Sequence, residues 1–168
     1  MSTPRRDKIN YYLDIAEAIL VRGTCLRRNY GAIIVKNDEI VSTGYAGAPR
    51  GRKNCSDIGS CRRERLGIQR GERYEICRSV HAEANAIISA ARKDMLGSTL
   101  YLVGKEASTG EYIIDPDSCS MCKRLIINAG ISTVIIRISS SEYINVDVSD
   151  AWIMSDDSID TVEVQEMY

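Results

Sequence analysis

The chain contains a single histidine, His81, in the stretch RSVHAEANAIISAARK at 78–93, with Glu83 two places further on. Two of its six cysteines, Cys119 and Cys122, are spaced C-x-x-C in CSMCKRLIINAG. In mid-helix His81 and Glu83 would point to nearly opposite sides, but where the chain is just entering a helix both can face one pocket. Cys119 and Cys122, three apart, share a helix face, so their sulfurs can grip one ion. One imidazole and two thiolates make three protein ligands for zinc and leave a fourth position open for water, the make-up of a catalytic rather than a closed structural site. A helix N-terminus also favours the negative charge that thiolates carry. Each motif alone has an ordinary alternative, a helix cap for the histidine and a redox pair for the cysteines. Their order, each at its own helix start with a strand between them, favours the joint metal site.

The elements that must hold these groups are legible in outline. Residues 8–22 place Tyr12, Ile15, Ala16, Ile19 and Leu20 at helical spacing, and Gly23 is expected to close that helix. YGAIIVKNDEIVSTGY reads as a β-hairpin turning at Asn37 and Asp38. The segment 46–78, rich in glycine, arginine and cysteine, lacks periodicity and reads as a long irregular insert, a kind of loop that is uncommon unless functional or cross-linked. The alanine-rich stretch from about Val80 to Lys93 predicts a helix ended by Gly97. STLYLVG is a strand, a polar loop runs over 105–117, CSMCKRLIINAG is a helix capped by Gly130, and STVIIRI is a further strand. Strand, helix and strand in alternation predict an α/β sheet with crossover helices. The acidic tail from about 139 has apolar anchors at Tyr143, Ile144, Trp152 and Ile153 but no assignable element.

At 168 residues the chain suits one core, and 44% hydrophobic with 27% charged residues is the balance of a globular protein. Its longest apolar run, around VIIRI, is too short to cross a bilayer. Asp14 and Glu17 interrupt the apolar positions near the N-terminus, unlike a signal peptide, so a cytoplasmic location is expected. In that compartment six cysteines point to metal ligands or reactive thiols rather than disulfides. Between Arg50 and Arg78 there are nine Lys or Arg against four Asp or Glu, whereas from Ile138 onward there are eight acids and no Lys or Arg. With a net charge of -1, this uneven distribution suits a small phosphorylated ligand better than a polynucleotide.

HAE at 81–83 followed by CSMC at 119–122 resembles the signature of the zinc-dependent cytidine and deoxycytidylate deaminase superfamily. CLRRNYGAIIV, STGYAGAPRG and GERYEICRSVHAE are similar to the deoxycytidylate (dCMP) deaminase branch, and the resemblance runs from Cys25 to about Arg137. It implies a cytidine-deaminase-like three-layer fold, with a mixed five-stranded sheet and helices on both faces, in a single domain from 1 to 168. It implies a homo-oligomer (dimer, tetramer or hexamer), a nucleotide substrate and hydrolysis of dCMP to dUMP and ammonia. His81, Cys119 and Cys122 would then hold one catalytic Zn2+, and Glu83 would carry the protons. The chain departs from that pattern twice: Ser118 stands where proline usually precedes the first cysteine of C-x-x-C, and Ala46 where asparagine is usual.

Substrate contacts are expected from Arg27 and Arg50, with Arg52 and Lys53 as further candidates for a phosphate, because an arginine fork matches phosphate geometry. Ala82, between the motif residues, is expected to touch substrate. Tyr143 would either stack on the base or anchor the tail. Cys25, Cys55, Cys61 and Cys77 would either close a second, structural zinc site that folds the insert, or remain buried free thiols. Beside dCMP deamination stand deamination of another nucleoside, nucleotide or base, and a zinc-stabilised nucleotide-binding module without catalysis.

Overall fold

A computed structural model describes residues 3–155. Helix α1 (Lys8–Leu20) opens the chain, its start capped by the Asp7 carboxylate, which accepts the Asn10 N–H at 2.9 Å. It ends at Leu20, three residues short of Gly23, because Arg22 and Gly23 already turn back onto the Ile19 and Leu20 carbonyls. Strands β1 (Arg28–Lys36) and β2 (Glu39–Tyr45) form the expected hairpin, and Asn37 and Asp38 both have positive φ, 51° and 64°. Two left-handed central residues match the turn to the twist of the flanking strands, and Asn and Asp tolerate that conformation best after glycine.

Strand β3 (Thr99–Glu106) lies antiparallel to β1, β4 (Thr133–Arg137) is parallel to β3, and β5 (Tyr143–Asp147) closes the edge antiparallel to β4. The sheet is therefore mixed and five-stranded, in the order β2-β1-β3-β4-β5. The fifth strand comes from the part of the acidic tail that sequence periodicity left unassigned; residues 156–168 of that tail lie outside the described part.

Side chains alternate across the sheet. Ile33, Val35, Tyr101, Val103 and Ile135 point to one face, where Tyr12, Leu13, Ala16 and Leu20 of α1 cover them. Ala32, Ile34, Leu100, Leu102, Val134 and Ile136 point to the other, against α4 (Ala82–Ile88), α5 (Arg92–Met95) and α6 (Ser120–Ala129). This period of two is what makes three layers: a strand buried on both sides needs a helix on each. Two glycines set how closely the layers approach. A Cβ on Gly31 would lie 2.1 Å from the Ala16 carbonyl oxygen in α1, and one on Gly44 would lie 2.2 Å from the Ala82 carbonyl oxygen in α4.

The alanine-rich segment is two helices rather than one. Helix α4 ends at Ile88, Ser89–Ala91 break the axis, and α5 sets off in a new direction that drops Met95 into the core. Burial of one large side chain thus overrides the helix propensity of the alanines. The insert is not wholly irregular either: it contains the short helices α2 (Cys55–Ile58) and α3 (Arg62–Arg65) and a 3-10 turn at Tyr74–Ile76. Its ends are clasped by paired backbone hydrogen bonds between Gly47 and Val80, 3.2 and 2.7 Å.

Arg137 is buried at 2% exposure on the α1 face, and its guanidinium donates to Glu17 Oε2 at 2.8 Å and Asp14 Oδ1 at 2.7 Å. Glu17 also receives Lys105 and the Tyr112 hydroxyl, so this cluster ties α1 to β3 and β4. Burial pushes the Glu17 carboxyl upward, but Lys105, Tyr112 and Arg137 together hold it below the usual carboxylate range. A depressed carboxyl adds stability above its unfolded pKa, and that stability disappears as pH falls through the folded value. Glu17→Ala is expected to cost about 2 kcal/mol at pH 7, since it removes one of the two carboxylates paired with buried Arg137 together with the acceptor of Lys105 and Tyr112. In urea unfolding the gap from the parent should narrow below pH ~4, where the unfolded carboxyl itself takes up a proton; a gap independent of pH would contradict this assignment.

Candidate active site

The residues singled out for chemistry meet where α4 and α6 begin. His81 is the N-cap of α4, with extended backbone (φ −70°, ψ 155°), and Glu83 lies in the first turn. Cys119 is the N-cap of α6, where its sulfur accepts the Cys122 N–H at 3.5 Å. Both thiols lie 3.4 Å from His81 Nδ1. Among the described residues this is the one group of three or more His, Cys, Asp or Glu whose ligating atoms all fall within 4.8 Å of each other. Tetrahedral zinc with Zn–S bonds of ~2.3 Å and Zn–N of ~2.0 Å needs S···N edges of roughly 3.5 Å, so the trio fits zinc without rearrangement.

The protonation pattern also suits a metal site. Hydrogen bonding from Cys122 and the neighbouring imidazole pull the Cys119 thiol down to about 4 against the effect of burial. Cys122 keeps its proton, held up by its bond to Cys119 and by burial. Burial works against a charged His81, but Cys119, Cys77 and Glu83 outweigh it and push the imidazole up to about 10. At pH 7 the metal-free trio is thus imidazolium, thiolate and thiol. Zinc takes a neutral imidazole and two thiolates, so two protons leave on binding. Apparent zinc affinity should then rise with pH through the neutral range and fall as the solution is acidified. Calorimetric titration in buffers of different ionisation heat counts those protons; a count of zero would refute the pattern.

His81 and Cys119 line a cleft of about 330 Å³ together with Cys25, Arg27, Arg28, Tyr30, Ala46, Arg63, Arg70, Tyr74, Ala82, Glu83 and Ser120, among others, while Cys122 is fully buried. Glu83 is 4% exposed, and burial raises its carboxyl pKa. Ser118 donates its hydroxyl to Glu83 Oε1 at 3.0 Å. The insert forms one wall. Arg63, itself buried, pins the loop by donating to the carbonyls of Gln69 and Glu72 at 2.7 Å each, and its guanidinium lies 4.3 Å from the centre of the Tyr74 ring. Tyr74 in turn meets the His81 ring edge to face, 4.9 Å apart at 84°. The insert therefore packs directly against the imidazole.

Of the substrate contacts expected from sequence, the structure brings Arg27 and Ala82 to the cleft. Arg27 pairs with Glu64 at 3.3 Å, and its Nη1 has no hydrogen-bond partner. Arg50 sits in an exposed turn and is not among the lining residues; neither are Arg52 and Lys53. Tyr143 packs against the α1 side of the sheet with Ile135 and Tyr101, so it anchors the tail and does not reach the cleft. The physical reason is strand parity: Tyr143 opposes Arg137, whose side chain also faces α1. Cys25, Cys61 and Cys77 line the cleft and Cys55 is buried, its thiol 3.8 Å from the Ser79 hydroxyl, but the four do not form a group at ligating distance.

Sequence reading missed Arg28, Tyr30, Arg63, Arg70 and Tyr74. The insert carries no periodicity from which Arg63 or Tyr74 could be placed. Tyr30 had a usable signal, since it directly precedes the buried run of a strand whose partners were recognised.

An α/β sheet that sets two helix starts side by side, with one imidazole, two thiols and a buried carboxyl between them, defines the class of metal-dependent hydrolases built for hydrolytic attack by an activated water. A family model described as the cytidine and deoxycytidylate deaminase zinc-binding region matches residues 6–138, and the chain belongs to that family. The deoxycytidylate deaminase of Mycobacterium phage D29 is 36% identical over 140 residues, covering 80% of this chain and 96% of the relative. That of Schizosaccharomyces pombe is 29% identical over 130 residues, 77% of this chain but 37% of the longer relative. Among solved structures, the dCMP deaminase of cyanophage S-TIM5 in complex with dCMP and dUMP superposes with a TM-score of 0.55 at 26% identity, covering 80% of this chain and 84% of that one. No helix among the described residues is long and apolar enough to cross a membrane.

Proposed function

We propose that this single domain hydrolyses dCMP to dUMP and ammonia in pyrimidine nucleotide metabolism. The observation that carries the reading is the convergence of His81, Cys119 and Cys122 with a buried Glu83 beside them. Zinc held by that trio would supply a water acidified from about 15.7 toward 7 as the nucleophile at C4 of the base. Glu83 would take one water proton and pass it to ring N3, then take the proton of the hydroxyl now on C4 and deliver it to the amine, so that the C4–N4 bond breaks, ammonia leaves and the C4 carbonyl of dUMP forms. Its raised pKa suits both directions of transfer, because an acid–base group works best when its pKa lies nearer the operating pH. Ala82 and Tyr30 form the wall for the base, and the cations available to a 5′-phosphate are Arg70 together with Arg27 and Arg28, which pair with Glu64 and Glu106.

Ala46 lines the cleft without the amide usual at its position, which leaves phosphate recognition more dependent on the arginines. Assaying cytidine, CMP, dCMP and dCTP for ammonia release tests the reading. The expected result is dCMP as the favoured substrate; turnover of none of them would leave a zinc-stabilised binding module in its place. The chain is further proposed to act in the cytoplasm as a homo-oligomer, for which the exposed Ile88 of α4 and Leu125 of α6 offer an apolar face. A second zinc held by Cys25, Cys55, Cys61 and Cys77 is proposed as the staple of the insert. Those thiols are not at ligating distance of one another, so the loop must move to close the site; two zinc ions per chain by metal analysis is the expected stoichiometry, and one would remove the second site.

A further inference from the structure

Ser118 is 3% exposed, and its hydroxyl donates to Glu83 Oε1 at 3.0 Å. The protonated Cys122 thiol is the other side chain that interacts with this carboxylate, and Ser118 supplies its oxygen donor. The serine is held in turn at both ends. Its N–H donates to the Asp117 carboxylate at 2.8 Å, and the next residue is Cys119, the N-cap of α6. A buried hydroxyl must find an acceptor and a buried carboxylate a donor, because an unpaired polar group away from water is destabilising, so the two groups fix one another. With Oε1 occupied, Oε2 is the oxygen left for proton transfer. Proline, the residue expected at this position from the family pattern, has neither the hydroxyl nor the N–H.

We infer that Ser118 is a positioning residue for the catalytic carboxylate: it links the start of α6 to the start of α4 and locks Glu83 in the orientation that presents one oxygen to the reacting base. The inference rests on the deaminase reading for its kinetic consequence, but its geometric part stands without it. Outer partners that orient catalytic groups are typically worth 10- to 100-fold, and a group needed only during proton transfer should show its loss in kcat rather than KM.

Ser118→Ala and Ser118→Thr, prepared as full-length zinc-loaded protein, form the test. Ser118→Ala is expected to lose roughly 10- to 100-fold in kcat on dCMP with unchanged KM and zinc content, and Ser118→Thr to recover most of that loss because it restores the hydroxyl. A crystal structure of Ser118→Ala should show the Glu83 carboxylate rotated or split over two conformers. An unmoved carboxylate in that structure overturns the inference whatever the substrate proves to be. A kcat equal to the parent's also overturns it, whereas an inactive parent counts against the dCMP reading and leaves the structural comparison to decide the role of Ser118.

Discussion

Glu83→Gln is expected to bind zinc as fully as the parent and to turn over dCMP roughly 10³- to 10⁴-fold more slowly, the upper part of the range for a lost general acid–base group. The amide has the volume of the carboxylate and keeps an acceptor for the Ser118 hydroxyl, so the fold and the cleft should persist. What it lacks is a site that can take a proton from water and give it to N3. Because the missing interaction belongs to the reaction rather than to binding, KM should change little while kcat and kcat/KM fall together. Ammonia release measured beside metal content separates the cases: near-parental turnover would remove Glu83 from the mechanism, and loss of zinc would make it a ligand instead of a proton carrier.

Cys119→Ala is expected to lose the metal and, with it, all activity above background. Zinc sites of this kind are worth on the order of 10–16 kcal/mol in total, so removing one ligand of three costs about 3–5 kcal/mol, or ~10³-fold in affinity. Cys119 matters in particular because its thiol, pulled down to about 4, is the ligand already ionised at neutral pH, and because its sulfur caps α6. Metal analysis after dialysis against a competing chelator reads the first effect directly. Cys122→Ala should lose metal as well while sparing the cap, so helix stability measured by thermal unfolding would fall less. A variant that held a full equivalent of zinc through dialysis would show that Cys119 is not a ligand.

Much of the site could be read from the order of residues because its chemistry depends on local spacing. His81 with Glu83, and Cys119 with Cys122, are each separated by less than one helical turn, and each pair begins a helix. Entry into a helix fixes where such neighbours point, whatever the rest of the chain does. The hairpin was legible for the same reason, since the Asn37–Asp38 turn and the flanking β-branched runs are local signals. The split between α4 and α5 was not, because alanine propensity favours one helix and only the core, by taking in Met95, decides otherwise. The fifth strand escaped likewise: β5 has no fully buried residue and no alternation, and becomes a strand through pairing with β4.

The sequence by itself determined the ligand types, the acid beside them and the helix starts that carry both. Tertiary structure alone decided which arginines reach the cleft, that Tyr143 faces the far layer, that Tyr74 braces His81, and that Ser118 meets Glu83. The difference is physical: the first set depends on contacts within a turn, whereas the second joins residues tens of positions apart, whose meeting is fixed by sheet order and by the layers that cover each face.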